Sequence, residues 1–129
     1  TPAATVFAGS DAETCQGVNF SFASQSSPAT ATNFLSILWT TTGTGSIANA
    51  NTLTPTYTPG IGETGNVLFT LTATGNGSCV SVQDQMTLVV TPAPVLSAGS
   101  DAETCQGVTF NFTSQGTPAS AVNYAAIAW

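Results

Sequence analysis

The chain has 129 residues, of which 42% are hydrophobic and 5% are charged, and it carries six acidic side chains with no Lys, Arg or His. Without cations it cannot neutralise nucleic-acid phosphates, and it has no apolar run long enough for membrane insertion. Since His and Lys, the usual bases of nucleophilic triads, are both absent, the sequence predicts a protein that is not an enzyme and has no catalytic residues.

Short β-strands separated by Gly, Pro and Asn account for the first 90 residues. In chain order we predict strands at 5–8, 18–24, 34–41, 46–48, 54–58, 66–74 and 80–90. Turns are predicted at 42–45 and at Gly75-Asn76-Gly77, and 25–32 reads as a loop. Seven short strands in a unit of about 90 residues predict an all-β, immunoglobulin-like sandwich.

Alternation of apolar and polar residues marks the inward faces of these strands. Trp39 is predicted to be the buried tryptophan that such sandwiches carry on their third strand. The other predicted inward positions are Val18, Phe20, Phe22, Ile37, Val67, Phe69, Leu71, Ala73, Met86, Leu88 and Val90. Asp84 falls on the same inward-facing side of its strand as Met86, Leu88 and Val90. Because a lone buried carboxylate is costly, we predict a bulge or strand break at 83–85 that turns it outward.

The chain contains an internal repeat with a period of 90 residues. Residues 8–18 recur unchanged as 98–108. Aligning 1–39 with 91–129 gives identity at roughly 24 of 39 positions, far more than chance would produce. The sequence therefore predicts a complete repeat at 1–90 and the first part of the next repeat at 91–129. A Pro-rich joint lies between them, and we expect the 129 residues to be a window onto a longer array.

Two of the three cysteines are related by the same period. Cys105 is the copy of Cys15, and its partner would lie near position 169, outside this chain. We predict a Cys15–Cys79 disulfide, which would stabilise the repeat by roughly 4 kcal/mol through loop closure and would indicate an oxidising compartment. The alternative is a pair of reduced, buried thiols.

Carboxylates supply the only candidate metal ligands, because calcium prefers oxygen ligands. The calcium candidates are Asp11, Glu13, Glu63, Asp84, Asp101 and Glu103. They are sparse and match no EF-hand pattern, so ordinary surface charge is the alternative. No other cofactor is predicted.

Several motifs resemble those of a known family. They are Cys15-Gln16-Gly17, the segments 39–45 (WTTTGTG), 55–59 (PTYTP) and 71–79 (LTATGNGSC), and Asp84. Together they resemble the PKD-like, immunoglobulin-like tandem repeats of very large cell-surface proteins of Bacteroidetes, of the gliding-motility adhesin type. The resemblance implies an extracellular array of many repeats on the cell surface, whose immediate partners are the neighbouring repeats of the same chain.

Three roles are compatible with these observations. The first is a structural stalk or filament that holds an adhesive tip away from the cell. The second is a self-assembling extracellular filament, in which copies of the chain pair through their strands. The third is a carbohydrate-binding module that stacks Tyr57 and Phe34 (Tyr124 in the second copy) on a surface polysaccharide.

Overall fold

The computed structural model describes all 129 residues as two compact units, Thr1–Pro92 and Ala93–Trp129. The strands are β1 (Thr5–Phe7), β2 (Ala12–Cys15), β3 (Phe20–Ser21), β4 (Thr30–Thr32), β5 (Phe34–Thr41), β6 (Ser46–Ala48), β7 (Thr56–Thr58), β8 (Gly65–Gly75), β9 (Val82–Thr91), β10 (Val95–Ser97) and β11 (Ser120–Val122). Short 3-10 segments lie at Phe22–Ser24 and Phe112–Ser114. No helix in the chain has the length and apolar character that crossing a membrane requires.

Two principal sheets build the first unit. One has four strands in the order β2-β9-β8-β5, and the other has three in the order β3-β7-β6. A separate pair, β1-β4, completes it. All strand pairs are antiparallel except β2 and β9, which run parallel with Ala12 opposite Leu88 and Cys15 opposite Thr91. The predicted all-β class is confirmed.

Aromatic rings fill the core of the first unit. The ring of Phe22 lies 4.8 Å from that of Trp39 and 5.1 Å from that of Phe69, while Tyr57 lies 4.8 Å from Phe69. All these pairs meet edge to face, which is the favourable geometry for aromatic pairs. The predicted burial of Trp39 is confirmed, and its indole Nε1 donates to the carbonyl of Thr52 at 2.9 Å.

The predicted inward faces are confirmed with one exception. Phe20, Ile37, Val67, Leu71, Ala73, Met86, Leu88 and Val90 are all buried. Val18 is 53% exposed, so its predicted burial is wrong. It follows the turn at Gly17 and donates its amide to the carbonyl of Cys15, before the short strand β3 begins at Phe20.

The four-stranded sheet departs from the sequence prediction at two places. Residues 12–15, which lie outside the predicted strands, form the edge strand β2. The bulge predicted at 83–85 is absent, because the β8–β9 register runs without a shift from Gly65 opposite Val90 to Ala73 opposite Val82. Asp84 keeps its inward parity and is stabilised there by the backbone amide of Ala8, which donates to Asp84 Oδ2 at 2.8 Å.

The second unit has the same local geometry as the start of the first. The pair β10–β11 aligns Val95 with Val122, as β1–β4 aligns Thr5 with Thr32. The second unit contains no counterpart of β8 or β9, whose side chains cover the core of the first. Its apolar residues are therefore open to solvent: Phe112 is 51%, Ile127 57% and Trp129 80% exposed.

Candidate functional site

The two cysteines of the first unit lie at opposite ends of its four-stranded sheet. Cys15 is level with Thr91 at the end of β9, whereas Cys79 precedes the start of β9 at Val82. Ten residues of extended strand separate these levels by about 30 Å, and a disulfide needs Cα atoms within about 7 Å of each other. The predicted Cys15–Cys79 disulfide is therefore wrong, and both thiols are free, as is Cys105.

These two ends are also where the polypeptide enters and leaves the first unit. At the entry, the sulfur of Cys79 lies 3.8 Å from the carbonyl oxygens of Thr1 and Pro2. At the exit, the amide of Gln16 donates to the carbonyl of Thr91 at 2.8 Å. The beginning of the first unit, Thr1, and its last strand residue, Thr91, therefore lie at opposite ends of the four-stranded sheet.

Two of the calcium candidates bind the backbone of the first unit. Asp11 Oδ1 accepts a hydrogen bond from the amide of Thr87 at 2.9 Å, and Asp84 accepts one from Ala8. These bonds tie the segment between β1 and β2 to β9. Glu13, Asp101 and Glu103 are exposed. The structure brings no three His, Cys, Asp or Glu side chains together in a metal-holding group, and calcium binding stays an untested prediction.

The remaining calcium candidate, Glu63, belongs to a hydrogen-bonded cluster with a buried tyrosine that the sequence did not reveal. The Tyr57 hydroxyl donates to Glu63 Oε1 at 2.6 Å and accepts from the amide of Gly45 at 3.0 Å. Glu63 Oε2 accepts from both the amide and the hydroxyl of Thr44. The cluster therefore fastens the loop after β7 to the turn after β5.

Burial and hydrogen bonding shift the titration of both groups. Burial, reinforced by the bond to Glu63, raises the pKa of Tyr57 to about 12. Burial would also raise the pKa of Glu63, but hydrogen bonds from Tyr57, Thr44 and Gly60 outweigh it and hold the pKa below its ordinary value. Since Tyr57 is fully buried, its predicted role as a sugar-stacking surface residue is wrong. Phe34 is half-buried and Tyr124 is 50% exposed.

The lowered pKa of Glu63 predicts a specific acid sensitivity. Its carboxylate contributes stability that is fully present above the unfolded-state pKa of about 4.5 and is lost as pH falls through the lower folded-state value. Replacing Glu63 with Gln should reduce stability at pH 7 by about 1–2 kcal/mol, because charge-assisted bonds become neutral ones. The difference between variant and wild type should shrink towards pH 3.

Urea denaturation at pH 7 and pH 3, followed by circular dichroism, measures this difference. Glu13→Gln is the matched control, since Glu13 is exposed and has no hydrogen bond to its carboxylate; it should behave like the wild type at both pH values. If Glu63→Gln lowers the free energy of unfolding equally at both pH values, the charge of the carboxylate does not stabilise the cluster.

Comparison with known proteins bears on the fold. No protein-family model matches the chain, and no curated protein matches it. Among solved structures it is similar to a solution structure described as the PKD domain from KIAA 1837 protein, at 23% sequence identity and a TM-score of 0.50. The match covers 76% of this chain and 92% of that domain. The chain has a PKD-like fold. The predicted immunoglobulin-like β-sandwich is therefore confirmed, and at this identity the similarity concerns the fold alone.

Proposed function

We propose that the chain is part of a tandem array of PKD-like domains that forms the stalk or filament of an extracellular bacterial surface adhesin. The observation that carries this proposal is the position of the ends of the first unit. The chain enters beside Cys79 and leaves beside Cys15, at opposite ends of the sheet. A domain whose two ends lie at opposite ends of its sheet suits a linear array, to which each domain would add roughly 30–40 Å.

The composition and the contacts of the acidic residues support a structural role. Asp11, Asp84 and Glu63 each accept hydrogen bonds that hold segments of the first unit together. The chain contains no Lys or His that could serve as a catalytic base. In the proposed array the partners of each domain are its two neighbours, and the cell-surface location and the gliding-motility type follow from the family resemblance.

The second candidate is a filament assembled from separate chains that pair through their strands. The carbohydrate-binding alternative is weakened, because Tyr57, the aromatic residue expected to stack on a sugar, is buried.

Electron microscopy of the native full-length protein separates these candidates. The stalk predicts single unbranched threads with an axial period of roughly 30–40 Å for each 90-residue repeat. Multi-stranded fibres, whose thickness depends on protein concentration, would instead support assembly from separate chains. Imaging with and without a calcium chelator tests the calcium prediction in the same experiment, because a calcium-stiffened array would lose its straightness.

A further inference from the structure

We propose that the turn between β8 and β9 is a self-modification site, at which Asn76 deamidates without an enzyme to aspartate and isoaspartate. The reaction needs only this asparagine, the glycine that follows it, and water. It takes place within the first unit and does not depend on the proposed array. It goes beyond a structural role, because it makes one turn of the domain chemically reactive.

The sequence singles out Asn76 among the asparagines. It is followed by Gly77, whereas the other seven are followed by Ala, Thr, Val, Phe or Tyr. Deamidation begins when the backbone nitrogen of the following residue attacks the side-chain carbonyl carbon of the asparagine and closes a five-membered ring. A side chain on the following residue shields that nitrogen, and glycine has none.

The structure leaves both reacting groups of this pair unblocked. The main-chain carbonyl of Asn76 accepts a hydrogen bond from the amide of Cys79 at 3.0 Å, which closes a turn with Gly77 and Ser78 at its centre. Neither the carboxamide of Asn76 nor the amide of Gly77 has a hydrogen-bond partner in the chain. Gly77 is exposed, has φ of +58° and has no atom within 4 Å of an added Cβ.

Asn33 shows the opposite arrangement in the same unit. Its Nδ2 donates to the carbonyl of Ala3 at 3.2 Å, so its carboxamide is held in place. It is followed by Phe34, whose side chain shields the backbone nitrogen that would have to attack. Asn33 therefore serves as an internal control for Asn76.

The reaction proceeds in two balanced steps. Hydroxide removes the proton of the Gly77 amide, and the nitrogen attacks Cγ of Asn76. The new carbon–nitrogen bond closes a succinimide ring, and the side-chain nitrogen leaves as ammonia with a proton from water. Water then opens the ring at one of its two carbonyls, which gives aspartate or isoaspartate. One water is consumed and one ammonia is released, with no oxidation or reduction.

Both products change the end of the first unit at which Cys79 lies. Each adds a carboxylate to a chain whose net charge is −6. Isoaspartate also inserts the Cβ atom of residue 76 into the main chain, in a turn so tight that a Cβ on Gly75 would clash with the carbonyl of Cys79. Because the released ammonia is lost, the converted fraction rises with the age of the protein.

Incubation of the folded 129-residue protein in buffer tests the proposal by intact mass spectrometry. The protein should gain the mass difference between a hydroxyl and an amino group, and one negative charge on ion-exchange chromatography. Peptide mapping should place the change at residue 76, and isoaspartyl methyltransferase should label that peptide. Conversion should be about tenfold faster at pH 8 than at pH 7, because the deprotonated fraction of a very weak acid changes by that factor.

Two variants are the matched controls. Asn76→Gln lengthens the side chain, so that attack would have to close a six-membered ring. Gly77→Ala places a methyl group beside the attacking nitrogen and meets no atom within 4 Å. Both should lose most of the conversion under the same conditions. If the positive φ of residue 77 prevents Gly77→Ala from folding, Asn76→Gln supplies the control alone.

Circular dichroism before and after incubation establishes that the converted sample is folded. A folded protein that keeps Asn76 as an amide at pH 8 would overturn the proposal. Conversion of a synthetic peptide of residues 71–80 in the same buffer would then show that the fold blocks the attack. Undiminished conversion of the Asn76→Gln variant, or conversion of Asn33 ahead of Asn76, would overturn it as well.

Discussion

Replacing Phe69 with alanine should lower the free energy of unfolding of the first unit by about 3–5 kcal/mol. The Phe69 side chain is fully buried, and its ring contacts those of Phe22 at 5.1 Å and Tyr57 at 4.8 Å. Truncation would remove the ring that joins these two and would leave a cavity between the principal sheets. Urea denaturation followed by circular dichroism measures the loss.

Leu35→Ala is the control for this prediction. Leu35 lies on β5 of the same sheet but is 70% exposed, so its truncation should change stability by less than about 0.5 kcal/mol. Equal urea midpoints for Phe69→Ala and the wild type would mean that the aromatic cluster does not form the core of the unit.

Replacing Gly9 with alanine should cost about 2–4 kcal/mol, for two separate reasons. Gly9 has φ of +88°, a conformation that residues with a Cβ atom adopt at a cost. An added Cβ would also lie only 2.4 Å from Gln25 Nε2. Gln25 cannot easily withdraw, because it is buried and donates to the carbonyls of Ala8 and Ser10 at 3.2 and 2.9 Å.

Gly17→Ala separates the two contributions. Gly17 also has positive φ, +77°, but no atom lies within 4 Å of an added Cβ. This variant should therefore show only the backbone cost, about 1–2 kcal/mol. Comparing thermal or urea unfolding of the two variants isolates the clash with Gln25. If both variants lose the same stability, Gln25 moves aside without cost and the packing argument fails.

The strands with a regular buried face could be predicted from the sequence. In β8, Val67, Phe69, Leu71 and Ala73 are buried and alternate with less buried residues, most of them Thr, which is the pattern of a strand with one face in the core. Strand β2 could not be predicted in this way. Its residues carry no apolar alternation, and its partner β9 begins 70 positions further along the chain, beyond the reach of local pattern.

Contacts between residues distant in sequence, which a local pattern cannot reveal, also explain the wrong predictions for the cysteines and for Asp84. Pairing Cys15 with Cys79 assumed that a disulfide closes within one repeat, and only the parallel register of β2 shows that they lie at opposite ends. For Asp84 the parity was correct, but the hydrogen bond from Ala8 that stabilises the carboxylate comes from 76 residues away. The cluster of Tyr57 and Glu63 had no sequence signal, since a single Glu in a Gly-rich loop is ordinary.

The parallel pairing of β2 with β9 has a mechanical consequence. Tension along the proposed stalk would pull Thr1 and Thr91 apart, towards opposite ends of the first unit. Because β2 and β9 run in the same direction, this force would act along the strands and load all four residue pairs, from Ala12–Leu88 to Cys15–Thr91, in shear. Hydrogen-bonded pairs loaded in shear must break together, whereas the pairs of a hairpin pulled at its open end break one at a time. In the proposed stalk, the first unit would therefore resist stretching through the shear of these four residue pairs.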